Sequence, residues 1–503
     1  MKPLPGTDGG RGPFFSTDSE WVAFWAGGKL RKIAVRGGSP TVLCDAPDLL
    51  GGSWGDDGQI VAALTSEAKL WRISSAGGQP RALLDLTPEP VRLLWPQVLP
   101  GSRVILFSNI GTTPDSGSVE AFSLDTGSRK VLVRGGTFGR YLPGGQLVYV
   151  NQGTLFAQKF RLAALEGAGN PVAVIAGISE SPVFGFAQFD FSSTGILVYR
   201  RQTAGERLSL NWIAPDGKTN RVVPEGGSYL WPRISPDGRE AAYSAMVSGE
   251  SRVWVARPGG PAPVAVTPDG RHYSTPLWTP DGRFLIVQGR GTLEWMAYPG
   301  TASPKVLLTG GVFVPWSFSP DGKRLAFYRM DPATHFDLWT VPVEVRDGGL
   351  GIGRPEPFLR TKAVETYPAF SPDGKWIAYV SLQSGAYEVY VRAFPDNGKE
   401  IQISRGGGRL PVWGRQRQEV LYETEDHQIM TLEWGVRSGN FVAGPVRPWS
   451  SVKLADTGVL ANFDLASDGR ILGLLSGLNG GEPAESLSVT VNFFQKLESR
   501  SGR

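Results

Sequence analysis

The sequence predicts an all-β fold of four-stranded antiparallel sheets, arranged as two tandem β-propellers. The first observation is a Pro-Asp-Gly turn followed by alternating apolar residues, which occurs at 235–244, 279–287, 319–328 and 371–380. The second is its period, because the turn aspartates are 44, 40 and 52 residues apart. Strand repeats of about 40 to 50 residues are typical of propeller blades. The third is composition: 66 glycines and 39 prolines in 503 residues indicate frequent tight turns.

Each copy of the turn predicts the tip of a β-hairpin. Proline presets φ at the first corner, while Asp and Gly tolerate the left-handed conformation that reverses the chain. After the turn, residues such as Leu325 and Phe327 alternate on the two-residue period of a strand. An aromatic residue precedes the turn, and we expect these residues to pack between neighbouring blades: Trp278, Phe318 and Phe370.

Weaker copies of the same unit extend the repeat along the chain. Seven segments share the turn and the flanking apolar alternation: 14–25, 54–64, 98–108, 141–150, 191–200, 412–424 and 465–475. A third strand follows each unit, as at 252–257, and usually a fourth, as at 305–310. Eleven units exceed the about four to eight blades of one ring. The chain is therefore predicted to form two rings.

A longer internal similarity suggests where the rings divide. Residues 187–201, followed by 208–214, resemble residues 461–475, followed by 487–494. If the later stretch closes the last ring, the earlier one closes the first. We therefore expect the boundary near residues 202–228.

The resulting assignment is unequal. Residues 1–205 are predicted to form a first propeller of about five blades plus an N-terminal strand, and residues 206–503 a second propeller of about six blades. Residues 2–7 resemble the fourth strand of a blade whose first three strands are absent, and the alternative is a loose terminal tail.

Charge and composition exclude several classes of protein. The net charge is +4, and Lys and Arg are scattered without a run of five like charges, which argues against nucleic-acid binding. Cys44 is the single cysteine, so no intrachain disulfide forms. No segment has the roughly 18 apolar residues of a membrane span, and the N-terminus lacks the apolar region of a secretory signal. These features predict a cytoplasmic protein unless the chain belongs to a membrane-anchored assembly.

Catalytic motifs are represented only by chance matches. Residues 51–55 fit the Gly-x-Ser-x-Gly pattern of a nucleophile elbow, which requires a strand followed by a sharp turn into a helix. Ser53 instead precedes a predicted hairpin turn, so we interpret it as a repeat residue. The three histidines fall in different blades and loops and form no recognisable triad: His272, His335 and His427.

No metal or cofactor site is predicted. Histidine pairs at ligand spacing are missing, and the Asp-Gly turns lack the several carboxylates of a calcium loop. Glu423, Glu425 and Asp426 cluster beside His427, and an exposed hairpin tip accounts for them.

Four segments resemble a known family: 14–47, 140–160, 366–395 and 491–497. The chain resembles the propeller region at the C-terminal side of bacterial membrane-anchored serine/threonine kinases, built of repeats similar to those of TolB. The resemblance covers nearly the whole chain. It implies a sensor or binding role outside the cytoplasm. The kinase motifs themselves do not occur in this chain, so the resemblance implies either a separate kinase domain or a propeller that acts alone.

The leading hypothesis is a non-catalytic module that binds a protein or peptide, or a small-molecule ligand. Trp95, Trp231 and Tyr367 each precede a proline on a first strand, and they either contact the partner or pack between blades. One alternative is a propeller enzyme with an active site in the channel. Another is an envelope assembly protein, as TolB is, although this chain lacks the N-terminal α/β domain of TolB.

Overall fold

The computed structural model describes residues 4–501 except 8–9, 48, 66–67, 88, 90, 112–116, 182–184, 201–207, 248–249, 301–302, 332–333, 347, 459 and 477–486. Within these residues the only α-helix is α1 (Phe493–Ser501), and one 3₁₀ turn spans Leu162–Ala164. The prediction of an all-β fold is confirmed. The chain divides into two compact units, Met1–Ala204 with Ala484–Arg503, and Gly205–Pro483.

The described residues of the first unit form five blades, numbered in chain order. Blade 1 comprises β1 (Arg11–Phe15), β2 (Trp21–Ala26), β3 (Lys29–Ala34) and β4 (Thr41–Asp45). Blade 2 comprises β5 (Gly52–Trp54), β6 (Gln59–Ala62), β7 (Lys69–Ser74) and β8 (Arg81–Asp85). Blade 3 comprises β9 (Arg92–Val98), β10 (Val104–Ile110), β11 (Ser118–Ser123) and β12 (Arg129–Arg134). Blade 4 comprises β13 (Thr137–Leu142), β14 (Gln146–Asn151), β15 (Thr154–Arg161) and β16 (Glu166–Ala176). Blade 5 comprises the short pair β17 (Glu180–Ser181) and β18 (Phe186–Ala187), and the sheet of β19 (Phe189–Phe191), β20 (Leu197–Arg200) and β47 (Leu487–Thr490).

In the second unit the part of the chain that the structure describes forms six blades. It begins with β21 (Ser209–Ile213) and β22 (Thr219–Arg221). Blade 6 comprises β23 (Tyr229–Ile234), β24 (Ala241–Val247), β25 (Glu250–Ala256) and β26 (Val264–Ala265). Blade 7 comprises β27 (Ser274–Trp278), β28 (Phe284–Gly289), β29 (Thr292–Ala297) and β30 (Lys305–Thr309). Blade 8 comprises β31 (Phe313–Phe318), β32 (Arg324–Asp331), β33 (His335–Arg346), β34 (Gly349–Ile352) and β35 (Glu356–Leu359). Blade 9 comprises β36 (Glu365–Phe370), β37 (Trp376–Ser381), β38 (Glu388–Ala393) and β39 (Glu400–Gln402). Blade 10 comprises β40 (Arg409–Trp413), β41 (Glu419–Glu423), β42 (Gln428–Arg437), β43 (Asn440–Ala443) and β44 (Arg447–Lys453), and blade 11 joins β45 (Phe463–Leu465) and β46 (Ile471–Leu475) to β21 and β22.

The predicted hairpin turns are held by their own side chains. In blade 6 the Ser235 hydroxyl donates to Asp237 Oδ1 at 2.6 Å, and the Arg239 backbone N–H donates to the same oxygen at 3.1 Å. Gly238 has a φ of 73°, which glycine adopts without steric cost. The same bonds recur around Asp321 and Asp373. The repeated sequence therefore encodes a repeated turn.

Blade 11 closes the second unit by joining its two chain ends. β46 pairs antiparallel with β21, so that Asn211 lies opposite Gly473. The first strands β45 and β23 are in contact, as are β40 and β45. Blade 11 thus lies between blades 10 and 6, and the six blades form a closed ring. A sheet shared between the first and last segments holds such a ring together, because opening the ring requires the shared sheet to separate.

The structure corrects the predicted assignment of the C-terminal segment. Residues 206–503 were assigned to one ring, but β47 (Leu487–Thr490) pairs with β20 of blade 5, with Tyr199 opposite Ser488. In each of the two similar stretches the third strand therefore comes from the other stretch. β20 of the earlier stretch pairs with β47, and β46 of the later stretch pairs with β21. The boundary was predicted near residues 202–228, and of these residues 202–207 lie outside the described part of the chain.

Blades 1 and 5, the first and last of the first unit, expose apolar side chains to solvent. Phe15 at the end of β1 is 59% exposed. Leu487 and Val489 on β47, and Val491 just after it, are each more than half exposed. The predicted N-terminal strand is not seen in the described residues 4–7, where Thr7 N–H donates to Leu4 O in a turn.

Candidate functional site

Two of the three predicted binding residues lie together at the centre of the second unit. The ring of Trp316, in blade 8, is 6.2 Å from Trp231 of blade 6 and 4.7 Å from Tyr367 of blade 9. Because blade 7 separates blades 6 and 8, the contact with Trp231 crosses the middle of the ring. Trp231 and Tyr367 are 6% and 4% exposed. They fill the axis, and a ligand would reach them only after these rings move apart.

The third predicted residue, Trp95, belongs to the first unit. It is half-buried, and its ring lies 5.6 Å from both Phe138 and Phe186. Gly51 of blade 2 comes so close that a Cβ there would lie 2.7 Å from Trp95 Cα. Trp95 thus packs between blades, which is one of the two predicted alternatives. Its role in binding stays a prediction.

An unusual backbone conformation explains why the three residues point inward. Trp95, Trp231 and Tyr367 have φ values of 55°, 57° and 58°, rare for bulky residues. Strand pairing shifts register at each of these positions. Such a bulge redirects the side chain. Phe138 and Leu410 share the conformation in other blades, so it belongs to the blade architecture.

A buried arginine lies beside the aromatic centre of the second unit. The Arg233 guanidinium lies 4.2 Å from the Trp316 ring centroid, in a cation–π contact. Arg233 Nη1 lies 4.0 Å from Asp464 Oδ1. Arg233 Nη2 has no hydrogen-bond partner in the described residues. Burial lowers the pKa of Arg233, and burial also raises the pKa of neighbouring Tyr328 well above its usual value.

A cavity of ligand size is present in the first unit, at the end where the first and second strands of each blade join. Its volume is about 340 Å³, within the range of about 300 to 1,000 Å³ of small-molecule pockets. Four consecutive blades line it: Thr17, Trp54, Gly55, Asp56, Gln97, Val98, Leu99, Pro100, Tyr141 and Pro143. Of these residues only Asp56 is charged.

Hydrogen bonds between blades fix the walls of the cavity. The Gln97 amide of blade 3 donates from Nε2 to Tyr141 O at 3.1 Å and accepts from Tyr141 N at 2.7 Å. Ser53 Oγ of blade 2 accepts from Val98 N at 2.9 Å. Ser53, which lies in the Gly-x-Ser-x-Gly match, therefore takes part in the contact between blades 2 and 3. These bonds join blades 2, 3 and 4, so the cavity is formed before a ligand arrives.

Equivalent turn positions form the mouth of the cavity. Thr17, Asp56, Pro100 and Pro143 occupy the first corner of the turns in blades 1 to 4. In the second unit this corner is proline in four blades: Pro236, Pro280, Pro320 and Pro372. Asp56 replaces the repeat proline, whereas its neighbour Asp57 is the turn aspartate and pairs with Arg72 at 2.8 Å. Among the turn corners of the first unit only Asp56 puts a charge in place of the proline, and this is the sequence signal that would have located the site.

Asp56 gives the cavity one negative charge. Its Oδ2 accepts from Gly101 N at 3.2 Å, which ties the turns of blades 2 and 3 together. No ion pair involves it in the described part of the chain. The indole of Trp54 and the phenol of Tyr141 supply aromatic surface. An aromatic cleft with one carboxylate suits a cationic group, which can contact both a ring face and the charge.

A buried polar cluster in blade 10 differs from the exposed hairpin tip that the sequence predicted. Glu423 is 1% exposed, and its Oε1 lies 3.0 Å from His427 Nδ1 and accepts from Asn462 Nδ2 at 2.7 Å. Arg409 Nε lies 3.4 Å from Glu423 Oε2, and Asp456 Oδ1 is 3.6 Å from His427 Nε2. The prediction was wrong for Glu423, which the neighbouring blade 11 covers, whereas Glu425 and Asp426 are exposed as predicted.

His427 is expected to make the second unit less stable at alkaline pH. Burial lowers its pKa, but hydrogen bonds to Asp456 and Glu423 outweigh burial and raise the pKa to about 9. A folded-state pKa above the unfolded value of about 6.5 stabilises the fold fully below pH 6.5. Raising the pH from about 6.5 to 9 should remove about 2 kcal/mol of unfolding free energy. Denaturation of His427→Gln should lack this slope, whereas the control His272→Gln should retain it. Equal slopes in both variants would contradict the assignment.

Two further observations concern metals and membranes. Within the described residues, no group of three or more His, Cys, Asp and Glu side chains is placed to hold a metal ion. No helix there has the length and apolar character needed to cross a bilayer.

The sheets, their antiparallel order and the closure of blade 11 define the chain as a β-propeller protein. No protein-family model matches the chain. It is 28% identical over 141 residues to an Agrobacterium fabrum protein named Uncharacterized protein Atu1656. That match covers 27% of this chain and 45% of the length of the relative.

Solved structures similar to this chain include two TolB proteins. Putative TolB from Agrobacterium tumefaciens is 17% identical with a TM-score of 0.40, over 48% of this chain and 88% of that one. TolB from Acinetobacter baumannii is 18% identical with a TM-score of 0.39, over 71% and 82%. The Myceliophteria thermophila Cps50 (Swd1) β-propeller domain is 14% identical with a TM-score of 0.35, over 58% and 93%.

Proposed function

We propose that the chain is a non-catalytic binding module that takes a cationic side chain of a partner polypeptide into the cavity of the first unit. The observation that carries the proposal is a preformed cavity in which four blades converge and Asp56 is the single charged lining residue. Rigid scaffolds that present loops at one mouth are well suited to recognition. The partner is therefore a protein or peptide that exposes Lys or Arg.

The chemistry of the cavity favours a long cationic side chain over a neutral one. Pro100, Pro143 and Val98 supply apolar wall, against which the aliphatic stem of Lys or Arg can lie. Trp54 and Tyr141 supply aromatic surface for the charged head. An anionic group would instead be repelled by the uncompensated negative charge of Asp56. Selectivity is thus expected to depend on Asp56, and affinity on Trp54 and Tyr141.

Random-peptide phage display on the whole chain tests this proposal. Selected peptides should share one Lys or Arg, and a selected peptide should bind Asp56→Asn at least tenfold more weakly than the unaltered chain. Asp57→Asn is the matched control, because Asp57 lies in the same turn but pairs with Arg72. Selected peptides without a basic position, or equal binding to both variants, would contradict the proposal.

We further propose that the chain acts in signalling, as a sensor associated with a serine/threonine kinase. The resemblance of 366–395 and 491–497 to the kinase-linked propellers supports this role. These segments form β36 to β38 of blade 9 and the start of α1, where Phe493 is buried against blade 5.

Crosslinking in the source cells tests the kinase association. A tagged chain should crosslink to a polypeptide with a kinase domain, identified by mass spectrometry, and Asp56→Asn should reduce the yield. Recovery of partners without any kinase domain would contradict the sensor role. It would leave the peptide-binding proposal to be judged by the display experiment.

A further inference from the structure

A second, smaller cavity lies between blades 10 and 11 of the second unit. Its volume is about 100 Å³, enough for a molecule of a few heavy atoms. Eight residues line it: Pro215, Arg417, Glu419, Thr431, Arg447, Trp449, Asp468 and Gly469. Both signs of charge therefore face a space too small for a long peptide side chain.

One buried hydroxyl in this cavity is unsatisfied, and one buried acidic residue has no ion-pair partner among the described residues. Thr431 is 2% exposed, and its hydroxyl has no hydrogen-bond partner in the described residues. Glu419 is 8% exposed, and no described cation lies within 4.0 Å of its carboxylate. Burying a hydroxyl or a carboxylate without a partner costs free energy. Native proteins rarely keep such groups without an ordered water or a ligand.

The strand register explains why these groups converge. Glu419 of β41 lies opposite Glu433 of β42, and Thr431 of β42 lies opposite Leu421 of β41 and Arg447 of β44. Directly opposite residues project from the same face of a sheet. Glu419, Thr431 and Arg447 therefore share the face of blade 10 that blade 11 covers. Pro215, Asp468 and Gly469 of blade 11 complete the cavity.

The positive charges of the cavity are also weakly engaged. Arg447 Nη2 lies 3.9 Å from Glu433 Oε1, beyond hydrogen-bond distance, and Arg417 is exposed with no ion pair among the described residues. Asp468, in contrast, is paired with Arg470 at 2.7 Å. One buried carboxylate and two guanidinium groups are thus available to a ligand.

We propose that this cavity binds a small zwitterion, an α-amino acid with a side chain no larger than that of alanine. The ammonium group would pair with Glu419, and the carboxylate with Arg417 and Arg447. The Thr431 hydroxyl would donate to the carboxylate. A simple anion would leave Glu419 unpaired, and a simple cation would meet Arg417 and Arg447. Only a molecule with both charges satisfies all four groups.

Isothermal titration of the whole chain with glycine tests the proposal, with acetate and methylammonium as probes of each charge alone. Glycine should bind, and each of the other two should bind at least tenfold more weakly. Glu419→Gln should weaken glycine binding at least tenfold. Glu433→Gln is the matched control, since Glu433 lies on the same face but does not line the cavity.

A second variant keeps the proposal falsifiable if Glu419→Gln fails to fold. Thr431→Val removes the unpartnered hydroxyl at nearly constant volume, so the fold should persist while glycine binding falls severalfold. Absence of glycine binding by the unaltered chain would overturn the proposal. Acetate binding as tight as that of glycine would also overturn it, because the cavity would then be a simple anion site.

Discussion

Deletion of residues 484–503 is expected to unfold blade 5 and destabilise the first unit while the second unit stays folded. The deletion removes β47, the strand that pairs with β20 along Leu197–Arg200. It also removes Phe493 and Leu497, both buried in the core of blades 4 and 5 with Phe189 and Tyr199. Losing two large buried side chains costs about 3 to 5 kcal/mol each when truncated individually. A domain with a total stability of about 5 to 15 kcal/mol should not survive intact.

Calorimetry combined with hydrogen exchange measures this effect. The truncated chain should lose the unfolding transition of the first unit, and amides of β14 and β20 should exchange rapidly. Amides of β24 and β46 should remain protected. Phe494→Ala serves as a comparison variant and should destabilise the first unit less, because Phe494 is only partly buried. Loss of protection in β46 with retention in β20 would instead support the assignment of residues 206–503 to one ring.

The second large effect is expected from Trp316→Ala. The Trp316 indole is 3% exposed and contacts Trp231 and Tyr367 across the centre of the second unit. Its removal would open a cavity among these rings, at a cost of about 3 to 5 kcal/mol. The buried Arg233 guanidinium would also lose its cation–π contact with Trp316. Its Nη2 has no hydrogen-bond partner in the described residues, so the loss would leave this buried charge with still fewer contacts. The unfolding temperature of the second unit should fall by about 6 to 20 °C.

Two variants separate this effect from the general loss of a tryptophan. Trp254→Ala removes a half-buried indole of the same unit and should lower the unfolding temperature less. Trp316→Phe keeps an aromatic ring and should cost under about 2 kcal/mol. If Trp316→Ala were no more damaging than Trp254→Ala, Trp316 would not occupy the packed centre of the ring.

The local structure could be predicted from the sequence because it depends on short-range chemistry. The Pro-Asp-Gly turns carry their own hydrogen bonds, as at Asp237, and strand alternation follows the two-residue period. The aromatic residue before the turn packs as expected: Trp278 is buried with Ala242 and Val255 of the preceding blade. These features repeat in each blade, so each copy reinforces the interpretation of the others.

The pairing of distant strands could not be predicted in the same way. β21 and β47 have similar alternation, and either could pair with β20 or β46 on local grounds. The pairing depends on the packing of the whole unit, because β21 (Ser209–Ile213) pairs with β46, more than 250 residues later in the chain. Sequence similarity between the two closing stretches identified equivalent strands but not their partners.

The candidate cavity was missed because its residues come from four repeats. Each of Thr17, Asp56, Pro100 and Pro143 is unremarkable in its own turn, and only comparison of the same corner in every blade shows the polar departures. The predicted residues Trp231 and Tyr367 were placed correctly on first strands, but their direction depends on a positive φ that apolar patterning does not encode.

Crosslinking of paired strands tests the central claim, the exchange of β47 and β21 between the two closing blades. Val198 lies opposite Val489 in the first unit, and directly opposite residues can be joined by a disulfide. In a Cys44→Ser background, Val198→Cys with Val489→Cys should form a disulfide under mild oxidation, detected by mass spectrometry after proteolysis. Val198→Cys with Leu210→Cys should not. The opposite outcome, a crosslink only in the second pair, would mean that each blade is completed by the strand next in sequence, and would contradict the account.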